Sequence, residues 1–306
     1  MKKPILTPVN LGVALGYGIA GYFLKGGYDA FRFYLRSPTL EATAPAWVYL
    51  VTYPLGILRW PFGWQILIVG TVLTAGVASN LWKDSRWWVV TFSGPLLWTI
   101  WLGQIEIFPI LGVILCTLVM KQKLHPAWLG VGWLALITKP QVGLGLLLVY
   151  TWWIWREMGI KAILWAGFSA LAILAPTFLI WPEWVQNWSI AVRELNPTWW
   201  NATIWPYGLF ALPLALLPIQ MSRQRRLRMV SAASLLASPY FALYHCSTLL
   251  TFSSKPYDLL FSWLPVVIGL LFFEQWAGLG WILPAMILAT DLFDLYRIRI
   301  KKIDKQ

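Results

Sequence analysis

The sequence is poor in acidic residues, cysteine and histidine. Its 306 residues include 12 aspartates and glutamates against 24 lysines and arginines, with only two cysteines and two histidines. Cys116 and Cys246 both lie in apolar surroundings, so no disulfide framework is implied. Because acids are rare, one placed where an apolar stretch ends is a candidate for proton chemistry. It is equally compatible with an ordinary polar loop residue.

Charge of either sign is also scarce. Charged residues make up 12% of the chain and hydrophobic residues 59%, whereas a soluble domain carries about twice that fraction of charge. The mean hydropathy is +0.64. Apolar stretches long enough to cross a bilayer recur from end to end, and no soluble domain interrupts them. We therefore predict an all-α, polytopic integral membrane protein that forms one domain over residues 1–306, with about 10–12 transmembrane segments.

The basic residues are concentrated in short segments between the apolar stretches. These segments contain Lys2-Lys3, Lys83 and Arg86, Lys121 and Lys123, Arg156 and Lys161, the cluster Arg223–Arg228, and the tail over residues 297–305. This pattern predicts that these loops and both termini are cytoplasmic. The formal charge of +12 therefore does not indicate nucleic-acid binding. Most of the 23 tryptophans suit anchors at the membrane–water interface.

Prolines interrupt two of the apolar stretches. Val48–Phe62 contains two prolines, which favours a short helix at the outer interface rather than a full span. Met229–Ser254 is broken at Ser238-Pro239, and splitting it there keeps the basic tail cytoplasmic. Trp87–Leu102 and Ile105–Met120 are predicted to form a pair of spans joined by an outer turn that contains Gly103-Gln104-Ile105-Glu106.

With this topology, polar side chains collect on the non-cytoplasmic face at the ends of spans. They are Asp29, Arg32, Tyr34 and Arg36 in the first outer loop, Gln104 and Glu106 in the second outer turn, Lys139 in the third, Glu183, Arg193, Glu194 and Asn196 in the large outer loop, and His245. An ionisable group that faces lipid costs roughly a few kcal/mol, so each should face a polar cavity or a partner. Each also has a purely structural interpretation: Lys139 as a snorkelling side chain, Gln104 as a helix-joining amide, and His245 as a hydrogen-bonded helix residue.

Five short motifs follow one another along residues 28–245. They are Tyr28-Asp29-Ala30-Phe31-Arg32-Phe33-Tyr34, Val51-Thr52-Tyr53-Pro54-Leu55, Gly103-Gln104, Lys139-Pro140, and Ser238-Pro239-Tyr240-Phe241-Ala242-Leu243-Tyr244-His245. In this order they resemble the membrane glycosyltransferases of the GT-C superfamily, most closely glycosyltransferase family 87. The sequence departs from the family pattern at Glu106, where asparagine is common, and at Leu55, where a second proline is expected.

The resemblance implies a GT-C-like bundle with an outer interface helix, and a hexosyltransferase activity. A mannose-like sugar would pass from a polyprenyl-phosphate donor to a lipid or glycan acceptor, on the non-cytoplasmic face of a bacterial plasma membrane, without a metal or other cofactor. Asp29 is then expected to act as the general base of an inverting transfer, with His245 as a second catalytic residue. Donor phosphate and substrate would be bound by Lys139, Gln104, Arg193, Tyr34, Tyr53 and Arg32.

Two other classes of protein fit parts of the sequence. A transporter or flippase would account for the many spans. Transporters, however, usually have inverted repeats and ionisable groups near the bilayer midplane, whereas here no repeat is visible and the polar groups lie at span ends. A non-catalytic membrane subunit that binds lipid-linked glycans is the third class. Convergence of Asp29, Lys139 and His245 on one site is expected for the transferase.

Overall fold

The computed structural model describes residues 4–35, 44–194, 201–217, 219–272 and 276–303, with the backbone alone for residues 191–194, 270, 272, 276–277 and 299–303. Within these ranges every regular element is helical. The α-helices are α1 (Pro8–Phe23), α2 (Ala46–Gly56), α3 (Phe62–Asn80), α4 (Trp87–Thr91), α5 (Gly94–Leu102), α6 (Ile107–Met120), α7 (Ala127–Ile137), α8 (Pro140–Met158), α9 (Ile160–Ile180), α10 (Trp184–Glu194), α11 (Ala211–Leu216), α12 (Arg223–Leu236), α13 (Cys246–Leu250), α14 (Tyr257–Phe272) and α15 (Ile282–Ile303). A π-helical turn spans Ala30–Tyr34, and 3-10 turns span Tyr207–Phe210, Leu243–His245 and Trp276–Trp281.

Three of the described helices are long and apolar enough to cross a membrane: Phe62–Asn80, Ile160–Ile180 and Gly278–Ile298. The prediction of an all-helical fold is thereby confirmed for the described residues, and these three helices are consistent with a membrane protein. The count of about 10–12 transmembrane segments stays a prediction. Helix α9 differs from its neighbours because few of its residues are buried; these are Ala162, Ala166 and Thr177. Most of its apolar surface is therefore not covered by the described part of the protein.

The predicted span Trp87–Leu102 is divided between two helices. Helix α4 ends at Thr91 and α5 begins at Gly94. The break lies at Ser93, whose hydroxyl accepts a hydrogen bond of 3.3 Å from the Leu96 N–H and so caps α5. Pro95 in the first turn of α5 favours a helix start at the same place.

The arginine cluster Arg223–Arg228, predicted to be a loop, instead forms the first turns of α12. The Ser222 hydroxyl starts this helix by accepting a hydrogen bond of 3.3 Å from the Arg225 N–H. The helix ends at Leu236, which confirms the predicted break at Ser238-Pro239. The chain therefore reverses between α12 and α13, and this reversal places the turn that contains His245.

Arg228 lies in a buried network of ion pairs that joins α12, α14 and α15. Its guanidinium, 2% exposed, lies 2.8 Å from an oxygen of Asp258 and 3.3 Å from an oxygen of Asp291. The ammonium of Lys255 lies 3.1 Å from Asp291 and 2.8 Å from Asp294. Buried ions of this kind are stable only when paired. Nothing in the sequence patterns pointed to this network.

Hydrogen bonds gather the basic segments at one end of the bundle. The Ser85 hydroxyl donates to the Thr251 carbonyl at 2.7 Å, and the Arg86 guanidinium donates to the Ser254 carbonyl at 3.1 Å. The Gln224 amide donates to the Phe252 carbonyl at 3.0 Å. The loop after α3, the segment after α13 and the start of α12 therefore meet at this end.

Gly103 directly follows the last residue of α5. The chain turns sharply there, at the end of the bundle opposite the basic segments. Its φ is +79°, in the left-handed region that favours glycine. A Cβ added there would lie 2.7 Å from the Cβ of Ala30 and 2.9 Å from the Cα of Gly27. The glycine thus lets the α5–α6 turn approach the segment that follows α1.

We expect Gly103→Ala to lower the free energy of unfolding by about 1–3 kcal/mol, because it adds both backbone strain and a collision. The matched control is Gly16→Ala in α1, where an added Cβ meets no atom within 4 Å. The control should be neutral or stabilising by about 0.5–1 kcal/mol, since alanine is the better helix former. Chemical unfolding in detergent micelles measures both, and equal effects would contradict the assigned role of Gly103.

Candidate functional site

Four turns at one end of the bundle bring polar side chains together. Asp29 lies between α1 and the π-helical turn, Gln104 and Glu106 lie between α5 and α6, and Lys139 lies between α7 and α8. The fourth turn, between α12 and α13, contains His245. The residues come from distant parts of the chain, so helix packing rather than local sequence assembles this group.

The side-chain amide of Gln104 joins two of these residues, Asp29 and Lys139, and also Tyr34 of the π-helical turn. Its nitrogen donates a hydrogen bond to a carboxylate oxygen of Asp29. Its oxygen accepts one hydrogen bond from the Tyr34 hydroxyl at 3.1 Å and another from the Lys139 ammonium at 3.0 Å. With 7% of its surface exposed, the amide is fixed by all three partners. It therefore holds a carboxylate on one side and an ammonium on the other.

Lys139 occupies the centre of the group. Besides its bond to Gln104, its ammonium lies 3.9 Å from a carboxylate oxygen of Glu106 and 5.3 Å from the centre of the Tyr244 ring. Its side chain is 12% exposed. Burial lowers the pKa of Lys139, while the nearby carboxylates of Glu106 and Asp29 oppose that shift. The ammonium is thus a cation shared by two acids.

Glu106 is the most enclosed of the acids in this group. Its side chain is fully buried, and neither carboxylate oxygen has a hydrogen-bond partner within the described part of the chain. Burial raises the pKa of Glu106 to about 7, and the charge of Lys139 works against that increase. Burial thus favours the protonated form of Glu106, and the charge of Lys139 favours the ionised form.

Asp29 is half-buried, so one side remains reachable from outside the protein. Burial raises the pKa of Asp29 above the usual aspartate value, while Lys139, the Gln104 amide and Arg32 act in the opposite direction. A carboxylate with a raised pKa is a stronger base than an ordinary surface aspartate. Asp29 can thus accept a proton from a hydroxyl placed against its open side.

His245 lies behind Tyr244, with 1% of its surface exposed. Its Nδ1 accepts a hydrogen bond of 2.9 Å from the Ala242 N–H, and its ring centre is 4.4 Å from that of Tyr244. Among the described residues no hydrogen bond joins His245 to Asp29 or Gln104. The structure therefore brings His245 to the group through Tyr244, and its catalytic role stays a prediction.

The other predicted site residues lie at the edge of the group or outside it. Arg32 is exposed; its guanidinium bonds the Tyr28 hydroxyl and lies 5.1 Å from the centre of the Phe33 ring. Tyr53 is 45% exposed near the end of α2, and no described hydrogen bond connects it to Gln104 or Lys139. The side chains of Arg193 and Glu194, and all of Arg36 and Asn196, lie outside the described residues. Binding roles for Arg32, Tyr53 and Arg193 stay predictions.

Two residues of the group were not among the predicted site residues. Glu106 stood in the sequence only as a polar residue of the second outer turn, and its complete burial against Lys139 could not be read from spacing. Tyr244 precedes the predicted His245 directly, yet it is Tyr244 whose ring faces the ammonium. The adjacent histidine was the only sequence signal for it.

Three exposed aromatic residues lie in or pack against the segment that contains Asp29. Tyr28, Phe31 and Trp60, which we call the aromatic rim, are 56%, 48% and 39% exposed. The Phe31 ring meets Trp60 edge-on at 5.1 Å, and Trp60 stacks on Trp64 at 5.5 Å with an interplanar angle of 2°. Exposed, rigidly held rings of this kind offer flat apolar faces next to a polar group.

Among the described residues, no group of three or more histidine, cysteine, aspartate and glutamate side chains could hold a metal ion. The group at the helix ends instead offers a base, a cation and a positioning amide, a combination suited to moving a proton beside an anion. No protein-family model, curated protein or solved structure matches this chain. The likeness to GT-C glycosyltransferases therefore continues to rest on the five motifs.

Proposed function

We propose that this protein is a GT-C-type membrane glycosyltransferase that moves a hexose from a polyprenyl-phosphate donor to a lipid or glycan acceptor. The observation that carries this proposal is the bridge Asp29–Gln104–Lys139, in which one amide holds a carboxylate and an ammonium. Glycosyl transfer needs a group that takes the proton of the acceptor hydroxyl, and a positive group that stabilises the departing phosphate. The bridge places one of each side by side.

In this mechanism the acceptor oxygen attacks the anomeric carbon of the sugar. Its proton passes to Asp29 as the new carbon–oxygen bond forms, and the bond between that carbon and the phosphate oxygen breaks. The phosphate leaves with the electron pair, and Lys139 stabilises the added negative charge. Because the acceptor attacks opposite the leaving phosphate, a single displacement inverts the anomeric configuration.

The placement of charge along the helices supports a site on the non-cytoplasmic side. Lys139 precedes the first residue of α8, whereas Glu157, near the other end of that helix, accepts a hydrogen bond of 3.3 Å from Arg223. The basic segments and the polar group thus lie at opposite ends of α8. With the basic end cytoplasmic, the polar group would meet the lipid phosphate of a donor at the opposite interface.

The direct test uses purified protein in nanodiscs, incubated with a panel of polyprenyl-phosphate hexoses and candidate acceptors. We expect release of free polyprenyl phosphate from at least one donor, together with a new glycosylated product. Mass spectrometry of the extracted lipids measures both. A panel in which every donor remains intact with every acceptor would contradict the proposal.

The rate of transfer is expected to fall as the pH is lowered through the titration of Asp29. Its pKa is raised by burial, so the base is lost at a pH above the ordinary aspartate value of about 3.9. The pH dependence of kcat/KM between about pH 4 and pH 8 measures this limb. A rate that stays constant down to the ordinary aspartate value would contradict the role of Asp29 as the base.

An ion-coupled transporter is the second candidate, and one observation favours it. Asp291, within the apolar helix Gly278–Ile298, is buried and paired with Arg228 and Lys255. Buried ionisable groups within a membrane helix are common in transporters. Solute uptake into sealed proteoliposomes, without any lipid-linked sugar, would support this candidate over the transferase.

A further inference from the structure

Within the described part of the chain, Glu106 has a cation near it but no hydrogen-bond donor to stabilise its negative charge. Both of its oxygens are buried without a hydrogen-bond partner among the described residues, and its closest cationic group is Lys139 at 3.9 Å. Tyr244 and Cys246 also face it, and both are neutral side chains near pH 7. The ionised form of Glu106 therefore depends on Lys139.

Lys139 is shared, and so its charge is not fully available to Glu106. The amide oxygen of Gln104 accepts a hydrogen bond from the same ammonium, and Asp29 is the second acid within reach of its charge. Two further titratable side chains lie around this pair. His245 feels the positive charge of Lys139, and the Tyr34 hydroxyl is hydrogen-bonded to Gln104. The carboxylates of Asp29 and Glu106 together carry two negative charges, whereas the central ammonium of Lys139 carries one positive charge. The exposed guanidinium of Arg32 also stabilises the ionised form of Asp29.

An anion that binds at Lys139 changes this balance. A phosphodiester brings one further negative charge to the ammonium, and the attraction that kept Glu106 ionised is then divided among three anions. Asp29 keeps the Gln104 N–H as a donor to its ionised form, but Glu106 has no such donor. A buried carboxylate without a partner is more stable when protonated.

We propose that Glu106 takes up one proton when a phosphodiester binds at Lys139, so that the ammonium is released from Glu106 and turned toward the phosphate. This step rests on the proposed function in placing the donor phosphate at Lys139. The proton comes from the solvent, and it returns there when the anion leaves. Protonation also gives Glu106 an O–H donor, which the ionised carboxylate lacks.

The test measures binding of a short-chain dialkyl phosphate, which stays a singly charged anion across the whole working range. Its dissociation constant and the number of protons taken up are measured by calorimetry between about pH 5.5 and pH 9, in buffers of different ionisation enthalpy. We expect affinity to fall about tenfold per pH unit above the titration of Glu106. At pH values above the titration of Glu106, the proton uptake should approach one proton per bound anion.

Four variants identify the residue that takes up the proton when the anion binds. Glu106→Gln should bind with little pH dependence and without proton uptake, whereas Asp29→Asn should keep both. Lys139→Arg should also keep both, because a guanidinium does not titrate in this range; this separates Glu106 from deprotonation of the lysine. Glu157→Gln, an exposed glutamate at the opposite end, is the matched control and should behave as the unmodified protein.

Anion binding with no proton uptake in the unmodified protein overturns the inference and leaves the proposed transferase intact. Uptake that persists in Glu106→Gln, or disappears in Lys139→Arg, also overturns it. If Glu106→Gln does not fold, persistence of proton uptake in both Asp29→Asn and Lys139→Arg supports Glu106 as the acceptor, and its loss in either counts against it. Conversely, proton-linked anion binding without sugar transfer in the donor panel would reject the proposed function and leave this inference standing.

Discussion

Replacing Asp29 with asparagine is expected to lower the rate of sugar transfer by about 10²–10⁴-fold, the usual contribution of a positioned general base. Asparagine keeps the shape of the side chain and still offers an oxygen to the Gln104 N–H. It cannot take the proton of an acceptor hydroxyl. Initial rates of polyprenyl phosphate release at saturating donor measure the effect, since the loss is expected in kcat rather than in donor binding.

Asp84→Asn serves as the control for this substitution. Asp84 is an exposed acid in the loop after α3, at the end of the bundle that carries the basic segments. It should transfer sugar at the unmodified rate. Both variants should keep the unmodified Tm, so that a loss of activity is not a loss of folding. An Asp29→Asn protein with full activity would remove Asp29 from the mechanism.

Replacing Arg228 with glutamine is expected to lower the free energy of unfolding by about 3–5 kcal/mol, as breaking a buried ion pair does. Arg228 is 2% exposed and pairs with Asp258 and Asp291, which are themselves buried. The substitution removes the charge and leaves these carboxylates enclosed. Lys255 still pairs with Asp291, so the larger part of the loss should come from Asp258.

The matched control is Arg223→Gln, in the first turn of the same helix. Arg223 pairs with Glu157 at the surface, with its side chain 46% exposed, and such pairs contribute about 0–1 kcal/mol. Combining Arg228→Gln with Asp258→Asn should restore part of the stability, because it removes the charge left without a partner. Chemical unfolding in mixed micelles measures all three proteins. Equal losses for Arg228→Gln and Arg223→Gln would show that the buried network contributes no more than a surface pair.

The group at the helix ends could be anticipated because its members stand at span ends in a recurring order. Asp29, Gln104 and Lys139 each follow or precede an apolar stretch, and stretches joined by short turns place alternate turns at the same end of a bundle. Spacing alone could not supply the hydrogen-bond pattern, in which Gln104 is the shared partner. The pattern depends on how closely the α5–α6 turn approaches the residues after α1, and Gly103 sets that approach.

The arginine cluster shows that a run of charged residues in the sequence does not always form a solvated loop. Four arginines in the six residues 223–228 favour a solvated loop, and for Arg223 exposure is indeed observed. Arg228, however, lies more than a helical turn further along α12 and points into the bundle. Its acidic partners are 30 and 63 residues away along the chain, and no periodic pattern in the sequence marks so distant a pairing.

Tyr53 shows what a short sequence motif cannot predict. A short motif identifies a residue but not the side of the helix on which it lies. Helix α2 buries Trp47, Val48 and Tyr49 in its first half, and Tyr53 comes in the second half, where the helix is more open. Which of its aromatic side chains faces the protein was decided by packing against neighbouring helices, which the motif does not encode.

Helix α9 has the length and apolar composition of a helix that crosses a bilayer. Its 21 residues form a rod of about 31 Å, close to a hydrocarbon thickness of about 30 Å, and the described part of the protein covers little of it. A thinner membrane is met by tilting such a helix. Ile173 and Leu174 of α9 pack against the aromatic cluster that includes Tyr34, so a change in the tilt of α9 would act on the packing around the hydroxyl bonded to Gln104.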